Sequence, residues 1–120
     1  RPPHPLILSH DSHRNTAMFD ALSHGTLYDT FQRTVARWAD RPAYAVPPMP
    51  GRSYHPEGME MTWRETAEGV ARMKARYAAA GYGLGHRVSI LFEQRPEFFF
   101  HYYALNALGG SVGPINPDCR

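Results

Sequence analysis

Residues 87–115 constrain this chain more than any other stretch. Arg87-Val88-Ser89-Ile90-Leu91-Phe92 is an almost unbroken apolar run, and a run without alternation fits a strand covered on both faces in a parallel sheet. Phe98, Phe99, Phe100, Tyr102, Tyr103, Leu105 and Leu108 then make a helix apolar almost all round, with Pro96 expected in its first turn and Gly109-Gly110 as its stop. Ser111-Val112-Gly113-Pro114-Ile115 is a second short strand, closed by Asn116-Pro117. Strand, helix and strand within about thirty residues make a right-handed βαβ unit with parallel strands. Such a unit needs layers on both faces of its sheet, and this chain supplies about one and a half. The expectation is the opening segment of a larger α/β domain, with the missing layers beyond Arg120. The start at Arg1 and the stop at Pro117-Asp118-Cys119-Arg120 fit that expectation.

The preceding residues predict two helices and a strand pair. Thr26 and Asp29 are spaced for a capping box, and Leu27, Phe31, Val35 and Trp38 follow on one helical face. Arg41-Pro42 ends that helix. Ala43–Val46 reads as a short strand, and the Pro-, Gly- and Ser-bearing segment from Met49 to Gly58 as an exposed loop. Met59–Trp63 is the antiparallel partner. It runs into a second helix with Thr62 as N-cap and Glu65 reaching back to it. Val70, Met73, Tyr77 and Ala80 are its expected buried stripe, while Arg64, Glu65, Glu68, Arg72, Lys74 and Arg76 face water.

Composition removes several classes of function. Thirteen basic and eleven acidic residues leave a net charge of +2, with no basic run, so nucleic-acid binding has little electrostatic support. No apolar stretch approaches the ~20 residues of a membrane span. Residues 1–25, rich in Pro, His and polar side chains, read as an extended leader, not a signal peptide. Within it, His10-Asp11-Ser12-His13 has metal-ligand residue types, but without a fixed frame it reads as a solvated tail. The single Cys119 excludes an internal disulfide and fits the reducing cytoplasm. A lone cysteine there reads as a small side chain, not as a nucleophile.

Gly81-Tyr82-Gly83-Leu84-Gly85-His86-Arg87-Val88 resembles a phosphate loop only in its glycines. A phosphate loop leads from a strand into a helix N-terminus, where free N–H groups and the positive end of the dipole meet the anion. Here the order is helix, glycines, strand, so the helix offers its negative end. Gly81 is read as a left-handed cap, and Gly83 and Gly85 as the turn into the strand. The topologically favoured ligand position is instead the loop Glu93–Glu97, at the carboxyl end of the first parallel strand. It lacks a Walker pattern. Glu93 and Glu97 read either as paired carboxylates or, more commonly for such a sequence, as a charged loop entering a helix. No Ser-His-Asp arrangement can be assembled.

Taken in order, four motifs resemble the start of the adenylate-forming (AMP-binding) ligases: acyl-CoA synthetases, peptide-synthetase adenylation domains and firefly luciferase. They are Thr62-Trp63-Arg64-Glu65, the glycine stretch through Val88, Pro96-Glu97-Phe98, and Ala104-Leu105 with Gly109 and Pro114-Ile115-Asn116-Pro117. His86 stands where the family usually has Asp. The resemblance covers residues 26–117 and is strongest to acyl-CoA synthetases.

The resemblance implies an α/β fold, the N-terminal portion of the family's large domain, with residues 26–120 forming part of that domain. It implies a two-step reaction in which ATP, with Mg²⁺, activates a carboxylic acid as acyl-AMP, and a thiol, commonly CoA, takes the acyl group. The family's phosphate loop, acidic residue and mobile lysine all follow the Asn-Pro turn, so no catalytic residue and no metal ligand is expected in this chain. Asn116, Pro117 and Asp118 are candidates for lining a CoA tunnel, against the plainer reading of a stereochemical turn. The partners implied are the remainder of the ligase and a small carboxylic acid. Exposed apolar surface would also permit a homo-oligomer. The competing reading is a stand-alone α/β binding module, which should hide its central helix and both faces of its parallel strands.

Overall fold

The computed structural model describes residues 25–118. The elements are α1 (Leu27–Trp38), β1 (Pro42–Val46), β2 (Met59–Thr62), α2 (Trp63–Ala79), β3 (Arg87–Leu91), α3 (Phe98–Ala107) and β4 (Ser111–Ile115). The mixed α/β architecture expected from the sequence is present. β1 and β2 pair antiparallel, with an irregularity between Pro42 and Tyr44. β3 and β4 pair parallel, in a separate sheet, with Ile90 opposite Pro114 and Leu91 opposite Ile115.

Both capping boxes form. The Thr26 amide donates to Asp29 Oδ2 at 2.9 Å, and the Asp29 amide donates to Thr26 Oγ1 at 3.2 Å. Thr62 and Glu65 make the same exchange at the start of α2. Each box satisfies amide groups that a helix N-terminus otherwise leaves open. At the other end of α2, Gly81 has φ +89°, its amide donates to Ala78 O, and the Tyr82 amide donates to Tyr77 O. That pair of bonds is a Schellman cap, and the Tyr82 ring meets Tyr77 edge-on at 5.8 Å. α3 ends the same way through Gly109 and Gly110.

The core forms where α1, α2 and α3 meet: Phe31, Val70 and Ala104 are buried, with Phe31 stacked on Tyr103 at 4.3 Å. α2 and α3 approach most closely at Gly69. A Cβ built there would lie 2.6 Å from two ring atoms of Phe100. Asn106, near the end of α3, accepts the Tyr28 amide in the first turn of α1 at 3.0 Å, tying α1 directly to α3.

Several expectations need correction. Of the α1 face, only Phe31 is buried; Leu27 and Trp38 are exposed, and the Arg37 and Arg41 guanidinium groups instead lie over the Trp38 ring. On α2, Ala80 is exposed, whereas Thr66 and Gly69, absent from the expected stripe, are buried. Thr66 is tolerated in the core because its hydroxyl donates to Thr62 O at 2.8 Å. Trp63 belongs to α2, and Pro96 lies ahead of the α3 N-cap, Glu97, in a tight turn. β3, by contrast, is left uncovered on one face by the described residues, as expected of a segment that supplies about one and a half layers. Ile90 is buried and Val88 half-buried, while Arg87, Ser89 and Leu91 are exposed, Leu91 to 65%.

The close approach at Gly69 gives a direct expectation. Gly69→Val should lower the stability of the chain by about 2 kcal/mol, because the added methyl groups displace the Phe100 ring from a packed contact. Urea denaturation should show a lower midpoint with an unchanged slope; an unchanged midpoint would contradict the packing described.

Candidate functional site

Because β3 and β4 are parallel neighbours in register, their chains leave the sheet side by side. Phe92–Glu97 departs from β3 and Asn116–Asp118 from β4, at the edge where α/β sheets bind ligands. A third segment reaches the same edge. Residues 47–58, between β1 and β2, cross over and fasten to the β3–α3 loop.

Two adjoining clefts result. The larger, about 660 Å³, lies between β1 and the strand ends, over Phe98 and Phe99, with Tyr44, Ile90 and Pro114 in its walls. The smaller, about 440 Å³, is bounded by Arg52, Ser53 and Tyr54 on one side and Asp118 on the other. Glu93, Gln94, Asn116 and Pro117 border both. The Tyr44 ring stacks on Phe99 at 4.9 Å, and burial, aided by the nearby Tyr103 hydroxyl, pushes its phenol pKa well up, so it stays protonated.

The 47–58 segment is organised by Arg52. Its guanidinium donates to Tyr54 O at 2.7 Å, Pro47 O at 2.9 Å and His55 O at 2.5 Å, so its charge is spent on holding its own loop. His55 sits at φ +43°, an uncommon conformation for a non-glycine residue that the surrounding bonds must hold. Gly58, at φ +85°, has Val46 O and the Pro48 ring within about 3 Å of any added Cβ.

Fastening to the β3–α3 loop is by successive side chains. Ser53 Oγ bonds the Glu93 carboxylate at 2.7 and 2.9 Å, and Tyr54 donates to Gln94 O at 2.7 Å. His55 Nε2 pairs with Glu97 Oε1, and Arg95 Nε donates to Glu97 Oε2 at 2.9 Å. Arg95 also lies over the Tyr54 and Phe92 rings. Glu97 is thus gripped at both oxygens. Partial burial acts to raise its pKa, but bonds from Arg95, its own amide and His55, with the Arg95 charge, outweigh this and hold it at about 2.

Of the residues singled out by sequence, Asn116 and Pro117 meet Glu93 and Gln94 at the shared border of the clefts, and Asp118 edges the smaller one. Asn116 Oδ1 accepts the Asp118 amide at 2.9 Å, an Asx turn that shapes this exit. Glu93 and Glu97 do not act as a pair: one holds Ser53, the other His55 and Arg95. Sequence reading missed Arg52–His55 by treating 49–58 as a plain exposed loop. The available signal was four consecutive side chains able to donate hydrogen bonds, between Pro/Gly turns. The glycine stretch is a turn, as expected: Gly85 has φ +84°, and the Gly83 amide donates to His86 Nδ1 at 2.8 Å. His10–His13 and Cys119 lie outside the described residues. Among the described residues no three His, Cys, Asp or Glu side chains gather at metal-binding distance, and no helix is long and apolar enough to cross a membrane.

A short antiparallel pair, three packed helices and a parallel pair with a cleft at its carboxyl edge make up the described α/β unit. The model of the AMP-binding enzyme family matches residues 31–120, and the chain belongs to that family. The N-terminal subdomain of Klebsiella oxytoca NpsA superposes with a TM-score of 0.67 at 24% identity, over 79% of this chain and 22% of that one. A Rhodopseudomonas palustris CGA009 protein proposed to be a long-chain-fatty-acid CoA ligase gives 0.66 at 25% identity, over 82% and 23%. Mycobacterium tuberculosis fatty acyl CoA synthetase gives 0.67 at 21% identity, over 78% and 17%. This chain therefore spans less than a quarter of the length of these structures. No curated protein matches it.

The grip on Glu97 sets a pH dependence. Its folded pKa, about 2, lies below the ordinary 4.5, so its contribution is complete above pH 4.5 and is lost as pH falls toward 2. Wild type should be more stable than Glu97→Gln at pH 6, and the gap should close progressively between pH 4.5 and 2. A gap independent of pH would show that ionisation of Glu97 contributes nothing.

Proposed function

We propose that this chain is the N-terminal portion of an ATP-dependent carboxylate–CoA ligase, with residues 26–120 belonging to its large domain and residues 1–25 to an extended leader. The observation that carries this reading is the family match, which runs through the Asn116-Pro117 turn at the carboxyl end of β4. The reaction is formation of an acyl-AMP and pyrophosphate from a small carboxylic acid and ATP, followed by transfer of the acyl group to the CoA thiol with release of AMP. Use of ATP and CoA suits a cytoplasmic enzyme.

ATP and Mg²⁺ are assigned to residues beyond the described part of this chain. Its described residues offer neither a glycine-rich strand-to-helix loop nor a carboxylate cluster, so the remainder of the ligase is taken to supply both. For CoA the fit is better. Asn116, Pro117 and Asp118 stand at the cleft mouth, where side-chain amides of Asn116 and Gln94 can bond an amide-bearing arm. A stand-alone binding module is disfavoured by the bare side of β3 and β4, where Leu91 and Ile115 are 65% and 47% exposed. The rest of the ligase is the natural cover for that side; self-association through it is the competing arrangement.

Carboxylate-dependent exchange of labelled pyrophosphate into ATP tests the reading. The full ligase should catalyse exchange, and residues 1–120 alone should not. Failure of the full protein with a broad panel of acids, or exchange by the short chain, would overturn it.

A further inference from the structure

The β1–β2 loop is more than a connection. It leaves Val46 at the larger cleft and brings Arg52, Ser53 and Tyr54 to the wall of the smaller one, facing Asn116–Asp118 across the opening. An exposed loop free to move would make a poor wall. This one is fixed internally by Arg52 and externally by Ser53, Tyr54 and His55, each bonded to a different residue of the β3–α3 loop. The most enclosed tie is the one at Glu97, which is half-buried where Glu93 is exposed, and which takes His55 on one oxygen and Arg95 on the other.

We infer that residues 52–54 form the second wall of the thiol-acceptor cleft, and that Glu97, acting through the adjoining His55, is the positioning residue that holds this wall against the β4 exit. This rests on the reading of CoA as acceptor. The chemistry of the smaller cleft favours a neutral arm over a charged group. Arg52 is committed to its own loop, so it offers no free cation, while Glu93 and Asp118 repel anions. Gln94 and Asn116 remain as neutral amide partners for an amide- or hydroxyl-bearing chain. Apolar surface from Tyr44, Ile90 and Pro114 continues beyond them for the methylene portion. The two clefts share Glu93, Gln94, Asn116 and Pro117 in their lining, so a polar cleft adjoins an apolar one, an arrangement suited to a flexible arm that ends in a thiol.

The test uses the full ligase and separates its two half-reactions. Glu97→Gln retains the shape of the side chain but offers one acceptor atom where two donors, His55 and Arg95, now bond. Its NH₂ group can meet His55 only as the neutral tautomer that accepts at Nε2, so the bond to an ionised carboxylate is lost and the wall loosens. The expected result is a rise of about tenfold in KM for CoA, the loss of one charge-assisted bond, with pyrophosphate exchange unchanged. His55→Ala should behave alike, and His55→Gln, which keeps a donor, should recover most of the loss. An unchanged KM for CoA, or equal loss in both half-reactions, overturns the inference. A wild-type enzyme that makes the adenylate but ignores CoA removes the acceptor reading alone. The wall is then judged by hydrogen exchange at Met49 and Gly58, whose amides bond Pro56 O and His55 O within the loop. Faster exchange there in Glu97→Gln, with α2 and α3 unchanged, supports the wall; an unchanged loop overturns it.

Discussion

The structure depends on how closely α2 and α3 approach. Gly69 removes a side chain where the Phe100 ring must sit, and that contact fixes both the separation and the rotation of the two helices. With that fixed, Val70 and Ala104 can meet Phe31 from either side, and the Tyr103 ring can stack on it. A helix as uniformly apolar as α3 has no intrinsic preference for one face. Its orientation is therefore set by its partners, and Gly69 is the partner that admits only one arrangement.

The position of α3 also determines where the chemistry can lie. Its N-terminus follows the β3 exit, so fixing the helix fixes Arg95 and Glu97 at the carboxyl edge of the parallel pair. Glu97 then bridges layers, because its carboxylate receives Arg95 from its own loop and His55 from the antiparallel hairpin. β1 and β2 share no backbone ladder with β3 and β4. What joins the two sheets at this edge is a set of polar side-chain bonds, with Tyr44 stacked on Phe99 beneath them. The cleft is thus a by-product of two small sheets meeting at an edge without merging.

The elements were largely legible in the sequence because their signals are local. Two capping boxes, two glycine caps and a βαβ pattern each act over a few residues and need no knowledge of partners. The errors arose where a partner decides. Trp38 fits the α1 face by spacing, yet two arginines only one and three residues away hold its ring at the surface. Thr66 looks polar and Gly69 looks like a helix weakness until α3 is in place. The site was half legible: Asn116–Asp118 stand out as a turn after a strand, whereas Arg52–His55 acquire a role only through Glu93, Gln94 and Glu97, some forty residues away. His86 shows the opposite case. Its Nδ1 accepts the Gly83 amide, as a carboxylate oxygen could in the same turn, so a change of residue type leaves the local geometry intact.

The uneven covering of β3 gives the last physical argument. Ile90 is buried and Val88 half-buried, but the alternate positions carry Leu91, with Ile115 exposed on the paired strand. Covering a leucine or isoleucine side chain contributes about 1.5–3 kcal/mol relative to leaving it in water. A parallel pair left bare on one side therefore forgoes several kcal/mol, a large share of the marginal stability of a small domain. Polar residues would be expected there if water were the permanent neighbour, as they are on the outer faces of α2. Arg87 and Ser89 meet that expectation at one end of β3, and Leu91 breaks it at the other, next to the cleft. The apolar residues are thus concentrated at the carboxyl edge, so whatever covers this side of the sheet must also come close to the opening that Glu97 and His55 hold in shape.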